Sequence, residues 1–156
     1  RAYINKKDQV ITRSKKVRST TKPSLSYFIS CGFLFTHSNF IIEVPWDPYL
    51  PFLFQGEEQL ISMRAFTNGW TLYHPSHAVC YHYYYRKNEP KFWCDLNKYY
   101  KIYNPVSSKR SKHFLNIPNN DPKYRNAYIY EKTFGPGKIK SVNDWISSFQ
   151  GLLISS

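Results

Sequence analysis

The triplet Gly56-Glu57-Glu58 is the sharpest chemical feature of the chain. It follows the aromatic run Phe52-Leu53-Phe54 and opens a segment with helical spacing, a junction of the kind where ligand sites open in α/β sheets. Carboxylates there can accept hydrogen bonds from sugar hydroxyls or serve as a base. Equally, two acids in a first turn stabilise a helix through the positive end of its dipole. A second candidate is the histidine set His74, His77 and His82, whose spacing can hold a metal. His74 and His77 flank a proline turn and read as exposed loop residues. His82 lies in the aromatic string Cys80-Tyr81-His82-Tyr83-Tyr84-Tyr85-Arg86. Its imidazole either faces a site together with Arg86 or satisfies a hydrogen bond in the core.

Several chemistries are excluded. The chain holds no GxSxG elbow, P-loop, HExxH or zinc-finger spacing. Cys31, Cys80 and Cys94 are odd in number and include no CxxC pair, so neither a disulfide framework nor a zinc ribbon is implied, and a reducing compartment is expected. Tyr81, Tyr83, Tyr84, Tyr85, Tyr99, Tyr100 and Tyr103 could stack single-stranded nucleic acid. They lack the interleaved basic residues of such a platform, and aromatic cores and sugar sites look the same.

The elements that must position these groups are drawn from 156 residues, enough for one domain or half of a larger one. Hydrophobic residues make up 42% and charged residues 21%, which argues against disorder over most of the length. No stretch approaches the roughly 20 apolar residues of a membrane span. The formal charge is +12, and eight of the 22 Lys and Arg fall within residues 1–22 against one acid, Asp8. That segment, bounded at residue 23, reads as a basic, flexible tail: either a solvated one or a binder of nucleic acid or anionic lipid. The chain opens on Arg1, as a processed product or a fragment does.

Residues 1–24 are expected to be irregular. Leu25–Phe35 reads as a buried strand bent at Gly32, and Asn39–Val44 as a second. Pro45, Pro48 and Pro51 force turns. The spacing of Leu60, Ile61, Arg64 and Ala65 predicts a helix over 57–67, ended by Asn68-Gly69. Strands are predicted over 70–73 and 78–85, helices over 95–103 and 108–117, and a long loop over 116–125. Ser141, with Asp144 three residues on, predicts a capping box opening a last helix. The class is α/β.

Taken together, three blocks resemble the polypeptide N-acetylglucosaminyltransferases of the hydroxyproline-modifying type. They are Glu43-Val44-Pro45-Trp46-Asp47-Pro48 through Gly56-Glu57-Glu58, then Met63-Arg64-Ala65-Phe66-Thr67-Asn68-Gly69-Trp70, then Tyr81 to Arg86. The likeness continues through Phe134-Gly135-Pro136-Gly137 and Lys140 to Trp145. It covers residues 24–156. Arg64-Ala65-Phe66 stands where Arg-Leu-Trp is more usual.

The resemblance implies a GT-A-like mixed sheet flanked by helices and a cytoplasmic enzyme. The reaction it implies is a retaining, Mn²⁺- or Mg²⁺-dependent transfer from a UDP-sugar to a protein acceptor. The family's Asp-x-Asp-type motif lies upstream of these blocks, and residues 1–24 hold nothing like it, so the chain resembles the C-terminal half of that domain. A more distant likeness to the polypeptide N-acetylgalactosaminyltransferases implies that His82 is a metal ligand and that Glu57 faces the sugar or acceptor. By these resemblances Glu57 and Glu58 are the catalytic pair. Trp46, Asp47, Arg64, Trp70, Tyr84 and Arg86 would bind substrate, Arg86 beside the diphosphate. The alternative is a non-catalytic module of the same descent that binds a protein or glycan.

Overall fold

The computed structural model describes residues 2–4, 10–12, 19–83, 85, 87–117 and 128–149. The class is α/β, as expected. Among the described residues the strands form two separate antiparallel pairs, β1 (Ala2–Ile4) with β2 (Val10–Thr12), and β3 (Ser24–Ser26) with β4 (Leu72–His74). Leu25 lies opposite Tyr73. Among the described residues there are six helices, α1 (Asn39–Glu43), α2 (Glu57–Thr67), α3 (Phe92–Asp95), α4 (Asn97–Phe114), α5 (Glu131–Phe134) and α6 (Val142–Phe149). No helix among the described residues is long and apolar enough to cross a membrane.

The axis of the fold is α2, which begins and ends where the sequence predicts. It is buried nearly all round, from Gln59 through Ala65 and again at Thr67. One side, with Leu60 and Met63, packs with Phe114, Leu115, Val142, Trp145 and Phe149. Another, with Ile61 and Ala65, packs with Ile29, Phe40 and Val44. Each such aliphatic or aromatic side chain contributes about 1.5–3 kcal/mol on burial. The end of α2 is a Schellman turn. Gly69, at φ 88°, donates its N–H to the Phe66 carbonyl, and the Trp70 N–H reaches Ala65.

The Gly135-Pro136-Gly137 segment docks on that same end. Thr67 Oγ1 accepts from the Gly137 N–H at 2.7 Å, and the Thr67 carbonyl accepts from Ile139 and Lys140. A Cβ on Gly137 would stand 2.5 Å from the Thr67 carbonyl carbon, which explains the glycine. The predicted capping box closes in both directions: the Asp144 N–H reaches Ser141 Oγ at 3.0 Å, and the Ser141 N–H reaches Asp144 at 2.9 Å.

Other expectations are corrected. The supposedly irregular first segment contains the antiparallel pair β1 and β2. The strand predicted over 25–35 is only Ser24–Ser26, because Ser26 Oγ accepts from the Phe28 N–H and donates to its carbonyl, closing a local turn. The strand predicted over 39–44 is helix α1. Phe40 and Val44, four residues apart, both turn into the core and leave Ile41 and Ile42 exposed, so packing overrides β-propensity. The strand predicted over 70–73 is shifted to 72–74. The described part of 78–85 forms no ladder, and all of its described residues, His82 as well as Tyr81, Tyr83 and Tyr85, are exposed.

Two predicted helices merge into α4, which runs through Pro105. The proline removes one backbone bond, but contacts on both sides of it hold the turn in place. The loop predicted over 116–125 lies mostly outside the described residues.

Candidate functional site

The loop from Pro45 to Gly56 delivers the chain to Glu57. Asp47 Oδ1 accepts from the Tyr49 N–H at 2.9 Å, an Asx turn. Phe52 at φ 58° and Gln55 at φ 67° then occupy the left-handed region, and Gly56 follows at φ 130°. Such conformations cost on the order of 1–3 kcal/mol each for a non-glycine residue and persist only where the surroundings impose them.

Helix α4 imposes them. Ser107 Oγ donates to the Pro51 carbonyl at 2.6 Å, and Asn104 Nδ2 to the Phe52 carbonyl at 2.8 Å. The Phe52 ring stacks on Tyr103 with 6.1 Å between centroids. Arg110 Nε meets Asp47 Oδ2 at 2.6 Å in an ion pair whose side chains are 0% and 1% exposed.

At the end of this loop Glu57 is half-buried, and its Oε2 is buried with no hydrogen-bond partner. Burial pushes its carboxyl above the ordinary value. The neighbouring Glu58 adds to the rise, and nearby backbone N–H groups oppose it. Glu58 Oε1 accepts the Cys31 N–H at 2.9 Å. The Cys31 residue is exposed as a whole, yet its thiol is shielded enough that burial, with Glu58 and then Glu57 beside it, pushes it up to about 12. The two acids and the thiol therefore form one acidic corner.

Arg64 and Asp47 lie inside the fold. The Arg64 guanidinium reaches three backbone carbonyls, Pro45 at 2.5 Å, Gly135 at 3.3 Å and Thr133 at 3.3 Å. Its pKa is lowered to about 10 by burial, with Asp47 opposing the shift and Arg110 adding to it. Arg110 also donates to the Ile129 carbonyl at 2.7 Å and lies over the rings of Phe114 and Tyr49. The two arginines thus join the 45–49 and 129–135 segments to α2 and α4.

The remaining candidates are spread over the surface. Trp46 is 53% exposed. Trp70 donates Nε1–H to Glu43 at 2.9 Å and packs edge-on against Phe40. Trp70 also lines a cavity of about 400 Å³ with Tyr27, Phe66, Lys140 and Ser148. That cavity is at the far end of α2, about 14 Å from Glu57 along the helix by its rise per residue. His82 is exposed in an irregular segment. Tyr84 and Arg86 lie outside the described residues. The structure therefore brings together Glu57 and Glu58, pairs Asp47 with Arg110 and places both near Arg64, and sets Trp70 at the other end of α2 from Glu57.

A family model described as Glycosyltransferase (GlcNAc) matches residues 1–152. The chain belongs to that glycosyltransferase family. No curated protein and no solved structure matches it.

In this GlcNAc-family glycosyltransferase the match includes the basic first segment as well as the Glu57 loop. Among the described residues no three His, Cys, Asp or Glu gather to hold an ion, and no step is derived through a metal. Sequence reasoning missed Asn104, Ser107 and Arg110. Their spacing on one helical face was the available signal, and splitting the helix near Pro105 hid it.

Proposed function

We propose that this glycosyltransferase moves GlcNAc from a UDP-linked donor to a protein hydroxyl with retention, with Glu57 facing the reacting sugar or acceptor. The observation that carries the reading is the Glu57 carboxyl: half-buried, raised in pKa, and holding one buried oxygen that no protein group bonds. A hydroxyl-bearing ligand would supply that missing partner. In the transfer, the bond from the sugar C1 to the diphosphate oxygen breaks, and a bond from C1 to the acceptor oxygen forms. The acceptor proton passes to the departing diphosphate oxygen, so Glu57 need only orient a hydroxyl. Glu58, bonded to the Cys31 backbone, fixes the wall beside it.

A divalent ion would neutralise charge on the UDP leaving group, and exposed His82 is the group of this chain proposed to touch it. Arg86 and Tyr84 are proposed to lie on the donor side and Trp46 and Trp70 on the acceptor side, with Asp47 and Arg64 shaping the loop. The three free thiols support a cytoplasmic setting. A second reading, a module that binds protein or glycan without turnover, is favoured by the exposure of Trp46, Tyr81, Tyr83 and Tyr85.

The test is transfer from UDP-GlcNAc to hydroxyl-bearing peptides, with Mn²⁺, by the chain and its Glu57→Gln variant. The expected result is transfer that falls on the order of a hundredfold in the variant. Glycan or peptide binding with no UDP binding and no turnover would select the second reading.

A further inference from the structure

The strained bend before Glu57 is held from outside the loop. Residues 103, 104, 107, 110 and 111 of α4 fall at one- to four-residue steps on one helical face, and that face meets the loop along its length. Arg110 takes Asp47, Ser107 takes the Pro51 carbonyl, Asn104 takes the Phe52 carbonyl, and Tyr103 stacks on the Phe52 ring. Ser111 Oγ stands 3.6 Å from where a Cβ on Gly56 would be. Two of these bonds end on the carbonyls of Pro51 and Phe52, beside the first left-handed residue. A type I or extended path through Phe52 would turn its carbonyl away from Asn104.

We propose that Asn104 and Ser107 are positioning residues that, by binding the Pro51 and Phe52 carbonyls, hold the bend that sets Glu57 for reaction. The proposal rests on the reading of Glu57 given above. Neither side chain need touch substrate, since both act through the backbone of the loop. Without them Phe52 and Gln55 are free to return to ordinary backbone conformations. Gly56 then no longer aims the start of α2, and the buried Oε2 of Glu57 becomes hydrated. The titratable groups facing Glu57 are Glu58 on its own helix and Cys31 from the preceding turn.

The experiment has two arms on the full chain, with wild type, Ser107→Ala, Asn104→Ala, Asn104→Asp and Glu57→Gln. In the first, the side-chain carboxyls of ¹³C-labelled Glu are titrated by NMR, the Glu57 signal being assigned by its loss in Glu57→Gln. The expected result is that Ser107→Ala and Asn104→Ala bring the Glu57 titration back toward the ordinary glutamate range. A Glu57 titration unmoved in both overturns the positioning role whether or not the chain turns over. In the second arm, UDP-GlcNAc transfer is expected to lose on the order of ten- to a hundredfold in kcat in Ser107→Ala, with little change in donor KM. In the Glu57→Gln background the same substitution should add nothing, and losses that multiply overturn the coupling. Full activity of Glu57→Gln alone, beside a Glu57 titration that moves with Ser107, would fault the reading of Glu57 and leave the loop mechanics standing. Should buried Ser107→Ala fail to fold, half-buried Asn104→Asp, which keeps the shape and loses the donor, gives the same discrimination.

Discussion

Replacing Asp47 with alanine should be the most damaging single change near the site, and its size follows from burial. The carboxylate and the Arg110 guanidinium are 1% and 0% exposed and meet at 2.6 Å. Removing one partner of a buried pair costs about 3–5 kcal/mol, because the remaining charge loses its carboxylate in a place water cannot reach. Loss of the Asx bond to the Tyr49 N–H adds about 1 kcal/mol. Against a typical total of roughly 5–15 kcal/mol this is a large fraction of the stability. With a urea slope of about 2 kcal/mol/M, the midpoint should fall by about 2–3 M.

Arg110→Lys should lose most of the same amount. A lysine cannot at once reach Asp47, bond the Ile129 carbonyl and lie flat between Tyr49 and Phe114. Asp47→Leu with Arg110→Met should recover much of the loss, since apolar replacement of a buried pair is often near neutral. Urea unfolding of the four proteins, followed by tryptophan fluorescence, makes the comparison. A loss below about 1 kcal/mol for Asp47→Ala would refute the argument, for that is how an exposed pair behaves.

Two further outcomes follow from the acidic corner. The folded-state pKa of Glu57 is raised, so its stabilising contribution is complete below the unfolded value of 4.5 and is lost as pH rises through the folded value. Glu57→Gln should therefore resist urea better than wild type at neutral pH and equally well at low pH, and a destabilised variant at pH 7 would contradict the burial argument. Cys31, its thiol pushed up to about 12, should alkylate with iodoacetamide more slowly at pH 8 than Cys80 or Cys94, and faster once Glu58 and Glu57 are both changed to glutamine. Mass spectrometry of the modified peptides reads the ranking.

What could be read from the sequence was local. The bounds of α2, its Asn68-Gly69 ending and the Ser141–Asp144 box are each set by residues within a few positions of one another, and each formed as the chemistry dictates. What could not be read was set by partners far along the chain. Phe40 and Val44 form a helical turn because a core opposite them takes both side chains, and no propensity within 39–44 reveals that core. Pro105 lies inside α4 because Asn104 and Ser107 have carbonyls to bind more than 50 residues earlier. The Glu57 candidate was legible from its position before a helix. Its supporting face was not, since Asn104, Ser107 and Arg110 are ordinary polar residues until the loop lies across them.

The basic charge of the chain separates into two physical kinds. Lys and Arg of the first 22 residues contribute to long-range potential, which screening weakens over about 8–10 Å. Arg64 and Arg110 do the opposite work: both are at most 1% exposed, and their donors are directed at the carbonyls and carboxylate of loops. Arginine suits this task because its planar, forked donors reach several acceptors from one buried position. Lysine at either place would bring a larger desolvation cost, because its ammonium is more strongly hydrated, with fewer bonds to offset it. Both guanidiniums hold segments flanking the bend before Glu57, so the most costly buried charges lie where the backbone is most strained. By contrast Tyr81, Tyr83 and Tyr85 stand in solvent, where the rings of Tyr83 and Tyr85 meet each other edge-on at 6.3 Å between centroids. The Glu57 carboxyl thus follows a loop clamped by α4, while the rings of Tyr81, Tyr83 and Tyr85 lie open to solvent.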